Sequence, residues 1–132
     1  MKLLADTSAL LAVVLRDDRH HAAAAKFVRS HPAARFVLTE LVLAEVATRL
    51  RARAGAERAV AVARELLRSK RYELIFIDSA VLGGALERMD RFADKRLSLA
   101  DCASLELIDR LRLGGAFTFD ADFRDCGVRS FP

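Results

Sequence analysis

Three acidic residues stand where apolar segments of the sequence end or where helices begin, and a fourth lies inside an apolar segment. Asp6 follows the run KLLA and Asp120 follows GAFTF, while Asp101 comes three residues after Ser98 at the start of a helix-like segment. Glu45 lies within the apolar stretch LVLAEVA. An ionised carboxylate in apolar surroundings loses several kcal/mol of hydration unless a cation or a hydrogen-bond donor meets it. The sequence must therefore provide a partner for Glu45 from elsewhere in the chain.

Carboxylates gathered in one pocket repel each other, by roughly 4 kcal/mol for two unit charges about 4 Å apart at an effective dielectric near 20. A divalent cation reverses this effect. Oxygen ligands without histidine or thiolate suit Mg²⁺ or Mn²⁺ better than Zn²⁺, and the histidines of this sequence lack the i, i+4 spacing of helical zinc ligands. The pattern favours phosphodiester hydrolysis, in which a metal ion orients a water, lowers its pKa and stabilises developing charge.

Each acid also has a structural alternative that the sequence leaves open. These are a capping box with Ser98 for Asp101, a helix cap for Asp6, an ordinary loop position for Asp120 or Asp122, and an i, i+4 ion pair with Arg49 for Glu45. The joint placement of the four acids, rather than any one of them, favours the catalytic interpretation. Asp78 also follows an apolar segment, but it directly precedes a helix, so an N-cap is the favoured interpretation.

Alternating segments of strand and helix character must position these acids. The pattern predicts strands at 2–6, 35–39, 72–78 and 115–119, an edge strand at 128–131, and a loop at 120–125. It predicts helices at 7–15, 17–30, 40–55, 56–69, 79–89 and 98–115. The order implies an α/β fold, a three-layer α/β/α sandwich with a mostly parallel central sheet. In such folds strand carboxyl ends and helix N-termini meet at one rim, which would bring the four acids together.

The length and amino-acid composition of the sequence fit one globular domain that spans residues 1–132. The chain is 53% hydrophobic and 30% charged, and its N-terminal apolar run is interrupted by Asp6 with no cleavage site after it, so we expect neither a signal peptide nor a membrane span. Two cysteines, Cys102 and Cys126, favour free thiols and a cytoplasmic protein. The net charge of +4 is mostly due to arginine, which favours phosphate-bearing partners, although an arginine-rich composition alone explains it about equally well.

The segments LLADTSALLAV, LTELVLAEV, RLSLADCASLEL and AFTFDADF, in this order and spacing, resemble the four acidic motifs of PIN-domain nucleases. More narrowly, they resemble the VapC-type toxins of toxin-antitoxin pairs, and the resemblance extends over essentially the whole chain. It implies that the acidic site comprises Asp6, Glu45, Asp101 and Asp120. Within this site Asp6, Asp101 and Asp120 would bind Mg²⁺ (or Mn²⁺), with Asp122 as a second candidate. The residues that would line the pocket as hydroxyl donors to phosphate or water are Thr7, Ser8 and Thr118.

The resemblance also implies an activity and partners. We expect a metal-dependent endoribonuclease that leaves a 5′-phosphate and a 3′-hydroxyl, is silenced by a cognate antitoxin, and forms a homodimer. Arg49, Arg51 and Arg53 are candidates for contacts with RNA, and the first two helices are candidates for docking surfaces, with core packing as their more ordinary use. A HAD-type phosphatase is disfavoured because Ser8 stands where its second aspartate is needed. A noncatalytic RNA-binding or regulatory module on the same fold remains the alternative.

Overall fold

The computed structural model describes residues 1–132, with helices between every two consecutive strands. The strands are β1 (Lys2–Ala5), β2 (Arg35–Thr39), β3 (Tyr72–Ile75), β4 (Ala116–Phe117) and β5 (Ser130–Phe131). The helices are α1 (Thr7–Val14), α2 (His21–Ser30), α3 (Glu40–Ala54), α4 (Ala56–Arg68), α5 (Ser79–Arg91), α6 (Leu99–Arg110) and α7 (Ala121–Asp125). No helix has both the length and the apolar character needed to cross a bilayer.

The five strands form a single sheet in the order β3-β2-β1-β4-β5, and every neighbouring pair is parallel. Strand β1 lies at the centre, where Leu4 pairs with Val37 on one side and with Ala116 on the other. All strands therefore end at the same rim, and the residues that follow β1 and β4 are neighbours there. The predicted parallel α/β fold is confirmed.

Side chains of the strands alternate between the two faces of the sheet. Leu3 and Phe36 belong to a buried cluster with residues of α1, α2, α3 and α4. Leu4 and Val37 point to the other face and belong to a second cluster with residues of α5, α6 and α7. This alternation is the pattern expected of a sheet covered on both faces, and it gives the three layers that the sequence predicted.

Several predicted bounds were wrong: the strand predicted at 72–78 ends at Ile75, and the helix predicted at 98–115 ends at Arg110. For two further errors the structure shows the reason. Residues 120–125 were predicted as a loop, but the structure contains α7, because the Asp120 carboxylate accepts the Asp122 N–H at 2.9 Å and begins the helix. The helix predicted from residue 17 begins only at His21, since Asp18 accepts the His20 N–H at 2.8 Å and forms a turn before it. The expected N-cap at Asp78 is confirmed by the bond that it accepts from Val81 N–H at 2.8 Å.

Helices α5 and α6 are joined by four charged residues, which we call the ion-pair cluster. Glu106 accepts hydrogen bonds from Arg88 Nε and Arg110 Nε, each at 2.7 Å, and Arg88 also contacts Asp109. A Cβ atom on Gly84 would overlap the Glu106 carboxylate. The close approach of the two helices explains this glycine, for which the sequence motifs offered no reason.

Candidate active site

Asp6 lies between β1 and α1 with only 4% of its surface exposed. Although it occupies the N-cap position of α1, its carboxylate makes no capping hydrogen bond. Instead Asp6 Oδ2 accepts the hydroxyls of Ser8 at 2.7 Å and Thr118 at 2.9 Å. Asp6 is therefore the N-cap of α1 by position only, and its carboxylate is oriented toward the end of β4.

Asp101 forms a capping box at the first turn of α6. Its N–H donates to Ser98 Oγ at 3.1 Å, while its Oδ2 accepts the Ser98 N–H at 3.0 Å. The structural alternative for Asp101 is thus confirmed, but it uses one carboxylate oxygen only. Its position in the first turn of α6 places this carboxylate near Asp6 and Asp120.

Asp120 follows β4 and is fixed by two bonds to its neighbours. Its N–H donates to Thr118 Oγ1 at 3.0 Å, and its Oδ1 accepts the N–H of Asp122 at 2.9 Å. We call the three carboxylates of Asp6, Asp101 and Asp120 the acidic rim. Each of them uses one oxygen in hydrogen bonds within the fold, and its second oxygen has no side-chain donor. The rim can therefore offer one oxygen from each of three carboxylates to a ligand.

The acidic rim is not neutralised by any basic residue, since none of its three carboxylates takes part in an ion pair. Burial raises the pKa of Asp101 to about 6, and the negative charges of Asp6 and Asp120 add to this effect. Burial also raises the pKa of Asp6, and the hydrogen bonds from Ser8 and Thr118 offset it only in part. These acids lie close enough to repel one another, as sites for a divalent cation do.

The donor set of the rim fits Mg²⁺ or Mn²⁺, because it consists of carboxylate oxygens with hydroxyls nearby and without histidine or thiolate. The carboxylates as placed do not surround a common point at metal-ligand distance. Rotation of these side chains would accompany binding of an ion. Asp122 is half-buried on α7, and its role as a further ligand stays a prediction.

Glu45 is half-exposed on α3 and does not form the ion pair with Arg49 that the spacing allowed. Its Oε2 accepts the hydroxyl of the buried Thr7 at 2.8 Å. The apolar surroundings that the stretch LVLAEVA indicated for Glu45 are largely absent, since only Val42, Val46 and Leu50 of α3 are buried. Through Thr7, the neighbour of Asp6 in the chain, Glu45 is placed beside the acidic rim.

The three predicted hydroxyl residues all lie at the site, and each donates to a carboxylate. Thr7 bonds Glu45, whereas Ser8 and Thr118 both bond Asp6. These hydroxyls orient the acids, and their contact with a phosphate stays a prediction.

Two rings beside the rim were not predicted from the sequence. His20 stacks on Phe119 with ring centroids 4.3 Å apart and planes 6° from parallel. The position of Phe119 directly before Asp120 was the available signal. No local pattern linked His20 to this site, because it lies far from Phe119 in the chain.

Comparison with known proteins gives consistent results. The family model described as PIN domain matches residues 3–128. The chain is 32% identical over 118 residues to Ribonuclease VapC26 of Mycobacterium tuberculosis (strain ATCC 25618 / H37Rv), which covers 89% of this chain and 86% of the relative. It is also similar to the crystal structure of M. tuberculosis VapC20, described as a Sarcin-Ricin loop cleaving toxin, with a TM-score of 0.89, 25% identity and 96% of each chain covered.

A more distant similarity extends over the full length of the fold. The crystal structure of VapBC2 from Rickettsia felis, bound to a DNA fragment from their promoter, matches with a TM-score of 0.72, 12% identity and 100% of each chain covered. At this identity the similarity shows the fold alone. The chain therefore shares its overall fold with both structures.

Proposed function

The chain belongs to the PIN domain family, and we propose that it is a metal-dependent endoribonuclease that acts as the toxin of a toxin-antitoxin pair. The observation that carries the proposal is the acidic rim, in which three adjacent carboxylates have no basic partner and each keeps one oxygen without a side-chain donor. A relative 32% identical over most of the chain is a ribonuclease. A structural neighbour at 25% identity is a toxin that cleaves the sarcin-ricin loop.

In this proposal Asp6, Asp101 and Asp120 hold Mg²⁺ or Mn²⁺. When bound, the ion supplies Lewis-acid stabilisation of the charge that develops during phosphodiester hydrolysis. Ser8 and Thr118 keep Asp6 in place, as their bonds of 2.7 and 2.9 Å to its Oδ2 indicate. These two bonds fix one of the three proposed ligands, Asp6, before the substrate arrives.

Glu45 is assigned a different role because it stands apart from the three rim carboxylates. It is half-exposed, and the Thr7 hydroxyl at 2.8 Å fixes one of its oxygens. A carboxylate that is anchored at one oxygen and accessible at the other suits the positioning of the attacking water and the acceptance of its proton. We assign this role to Glu45, with Thr7 as its positioning residue.

Binding of RNA requires positive charge near the rim. Of the three arginines predicted for this role, Arg53 forms an ion pair with Asp17 at 3.0 Å, whereas Arg49 and Arg51 are exposed on α3 and form none. Arg49 follows Glu45 by one helical turn. We therefore assign a phosphate contact to Arg49, which shares a surface with Glu45 and adds affinity without reading the base sequence. Arg51 instead lies in the groove between α3 and α4, so the structure gives no support for its predicted contact with RNA.

A cognate antitoxin and a second copy of the chain are the proposed protein partners. The R. felis neighbour is VapBC2 bound to a fragment of promoter DNA. Helix α1 is a poor docking surface, because most of its apolar residues are buried in the core. Large apolar side chains are instead exposed on α4 and α5, at Val60, Leu67, Leu82 and Leu86.

Both cysteines are free thiols, which agrees with action on RNA in the cytoplasm.

Cleavage of RNA by the purified protein tests the enzymatic proposal. Without antitoxin the protein should cut single-stranded RNA in Mg²⁺ or Mn²⁺, leave 5′-phosphates, and stop in EDTA. Asp6→Asn should abolish cutting. The matched control is Asp78→Asn, which also follows a strand but caps α5, and which should keep full activity because asparagine caps helices equally well. Binding of RNA without any cutting would favour the noncatalytic alternative.

A further inference from the structure

A cavity of about 240 Å³ opens directly beside the acidic rim, at the carboxyl ends of β4 and β5. Its walls include Thr118 and Asp120, which also belong to the site described above, and Phe119, Arg124 and Ser130, which do not. The volume is smaller than the roughly 300–1,000 Å³ typical of sites for drug-sized ligands. It suits a single nucleotide unit rather than a longer segment of RNA.

The polar walls of the cavity suit a phosphate and a base edge. Arg124 is exposed on α7 and forms no ion pair. Its guanidinium has the planar fork that matches phosphate oxygens. The hydroxyl of Ser130 makes only a long hydrogen bond of 3.5 Å to a backbone oxygen. Both groups are thus available to a ligand that enters from the rim.

The aromatic wall is held rigidly and is coupled to the acids. Phe119 stacks on His20 at 4.3 Å and meets Phe117 edge-on at 6.3 Å. Its N–H donates at 3.0 Å to Ser8 Oγ, the same hydroxyl that bonds Asp6. Proteins recognise unstacked RNA bases by placing them against such aromatic side chains.

We propose that this cavity is a nucleotide subsite that binds the nucleotide adjacent to the scissile phosphate, with its base against Phe119 and its phosphate on Arg124. The inference rests on the proposed ribonuclease function and adds a source of nucleotide selectivity at one position next to the cut. Thr118 and Asp120 line both the cavity and the acidic site. The cavity therefore adjoins the acidic rim, as a subsite next to the scissile phosphate must.

The test starts from RNA that the wild-type protein cuts itself. A pool of random-sequence RNA is digested with Mg²⁺, the 5′-phosphate ends are sequenced, and a fluorescent oligoribonucleotide with the preferred cut is made for kinetics. Arg124→Gln should raise KM about tenfold, the loss expected for one charge-assisted hydrogen bond, with kcat changed less than about twofold. Arg68→Gln is the matched control, because it removes the same charge at an exposed position of α4 next to the start of β3, at the opposite end of the sheet.

Phe119→Leu tests the aromatic wall, since it keeps an apolar side chain and removes the ring. We expect weaker binding by about fivefold or more, as for loss of one stacked base, and a broader nucleotide preference at one position beside the cut. His20→Phe, which preserves the stack on Phe119, should retain the wild-type preference. Thermal melting of each variant verifies that the fold is intact.

The outcomes separate the two proposals. If the wild-type protein cuts no RNA, the proposed function fails and the subsite fails with it. If it cuts RNA, but Arg124→Gln behaves like Arg68→Gln and Phe119→Leu keeps the preference, the subsite is overturned and the ribonuclease stands. A fall in kcat at unchanged KM for Arg124→Gln would also overturn the subsite, because it would indicate an effect on the reaction rather than on binding.

Discussion

The acidic rim and the ion-pair cluster both concentrate carboxylates on or near α6, yet the carboxylates of the cluster have basic partners and those of the rim have none. In the cluster, Glu106 accepts hydrogen bonds from Arg88 and Arg110, and these bonds hold its pKa below the usual range. In the rim, burial raises the pKa of Asp6 and Asp101, and no basic side chain compensates. The cluster is balanced within the chain and stabilises the fold. The rim has no such partner within the chain, so a bound cation would be favoured there.

Asp101→Asn gives the largest expected effect and sharpens this comparison. Asparagine can accept the Ser98 N–H as Asp101 does, so the capping box is largely kept. RNA cleavage should fall by at least about 100-fold, as for loss of a group that stabilises the transition state. The melting temperature at pH 7 without metal should not fall, because a repelled charge has been removed. Cleavage rates and melting curves are both measured, and a loss of activity that merely follows unfolding would contradict the comparison.

Arg88→Met should show the reverse pattern. The side chains of Arg88 and Glu106 are only 15% and 14% exposed, so removal of the arginine leaves a poorly hydrated carboxylate with one partner fewer. We expect a loss of about 2–3 kcal/mol in the free energy of unfolding, somewhat below the range for fully buried pairs, with kcat/KM close to wild type. Urea unfolding measures the change.

The control for Arg88→Met is Arg91→Met on the same helix. Arg91 is exposed and its guanidinium lies over the ring of Phe92 at 5.2 Å. This substitution should cost less than about 1 kcal/mol. Equal losses in the two variants would mean that the ion-pair cluster contributes no more than a surface contact.

The pH dependence of stability should differ between metal-free and metal-bound protein. A carboxyl whose pKa is raised by folding binds its proton more tightly in the folded state, so its contribution to stability is lost as pH rises. For Asp101 this window runs from the ordinary value of 3.8 to about 6, and Asp6 acts in the same direction. In EDTA the ionisation of Asp101 should therefore lower the melting temperature between pH 4 and about pH 6, and Asp6 should add a fall in the same direction.

Magnesium should oppose this loss, because it binds the ionised carboxylates. At ten times its Kd the ion would stabilise the fold by about 1.4 kcal/mol above pH 6, and by much less at pH 5. Melting curves at pH 5 and pH 7.5, with EDTA and with Mg²⁺, measure both effects. The same rise in melting temperature at both pH values would place the bound ion away from these acids.

The adjacent glycines of α5 provide a matched pair of substitutions at the ion-pair cluster. A Cβ on Gly83 would meet no atom within 4 Å, whereas one on Gly84 would overlap the Glu106 carboxylate, which two arginines hold in place. Gly83→Ala should stabilise by up to about 1 kcal/mol through helix propensity. Gly84→Ala should destabilise by about 1 kcal/mol, because the steric cost exceeds that gain. Chemical unfolding of both variants gives the sign directly, and stabilisation by Gly84→Ala would show that Glu106 moves aside easily.

Local signals in the sequence were sufficient for the parts of the fold that depend on neighbouring residues. The alternation of strands and helices and the N-cap at Asp78 were predicted, and the capping box of Ser98 with Asp101 was among the open alternatives, because each rests on contacts within a few positions. The prediction that the rim acids lie close together followed from one further rule, that parallel strands end at the same rim. The three acids indeed lie close enough to influence one another's ionisation.

The rest depended on contacts between distant parts of the chain. The burial of Glu45 was overestimated, since an apolar run does not reveal which side of a helix the core covers, and Ala44 is in fact exposed. The reason for Gly84 is a carboxylate 22 positions later, at Glu106. Helix α7 was missed because it is a single turn, which one side chain, that of Asp120, begins.

Ser104→Ala gives the smallest expected effect. It tests whether a change in the middle of α6 affects both the acidic rim and the ion-pair cluster. Ser104 lies between the rim at the start of α6 and the cluster at its end, fully buried, and its hydroxyl has no hydrogen-bond partner. Its replacement removes a polar group that lost hydration without compensation, so the fold should gain about 0.5–1 kcal/mol. Ser79→Ala, exposed at the first turn of α5, controls for helix propensity. RNA cleavage should be unchanged if rim and cluster act independently; a change in cleavage without a change in stability would show instead that α6 couples them.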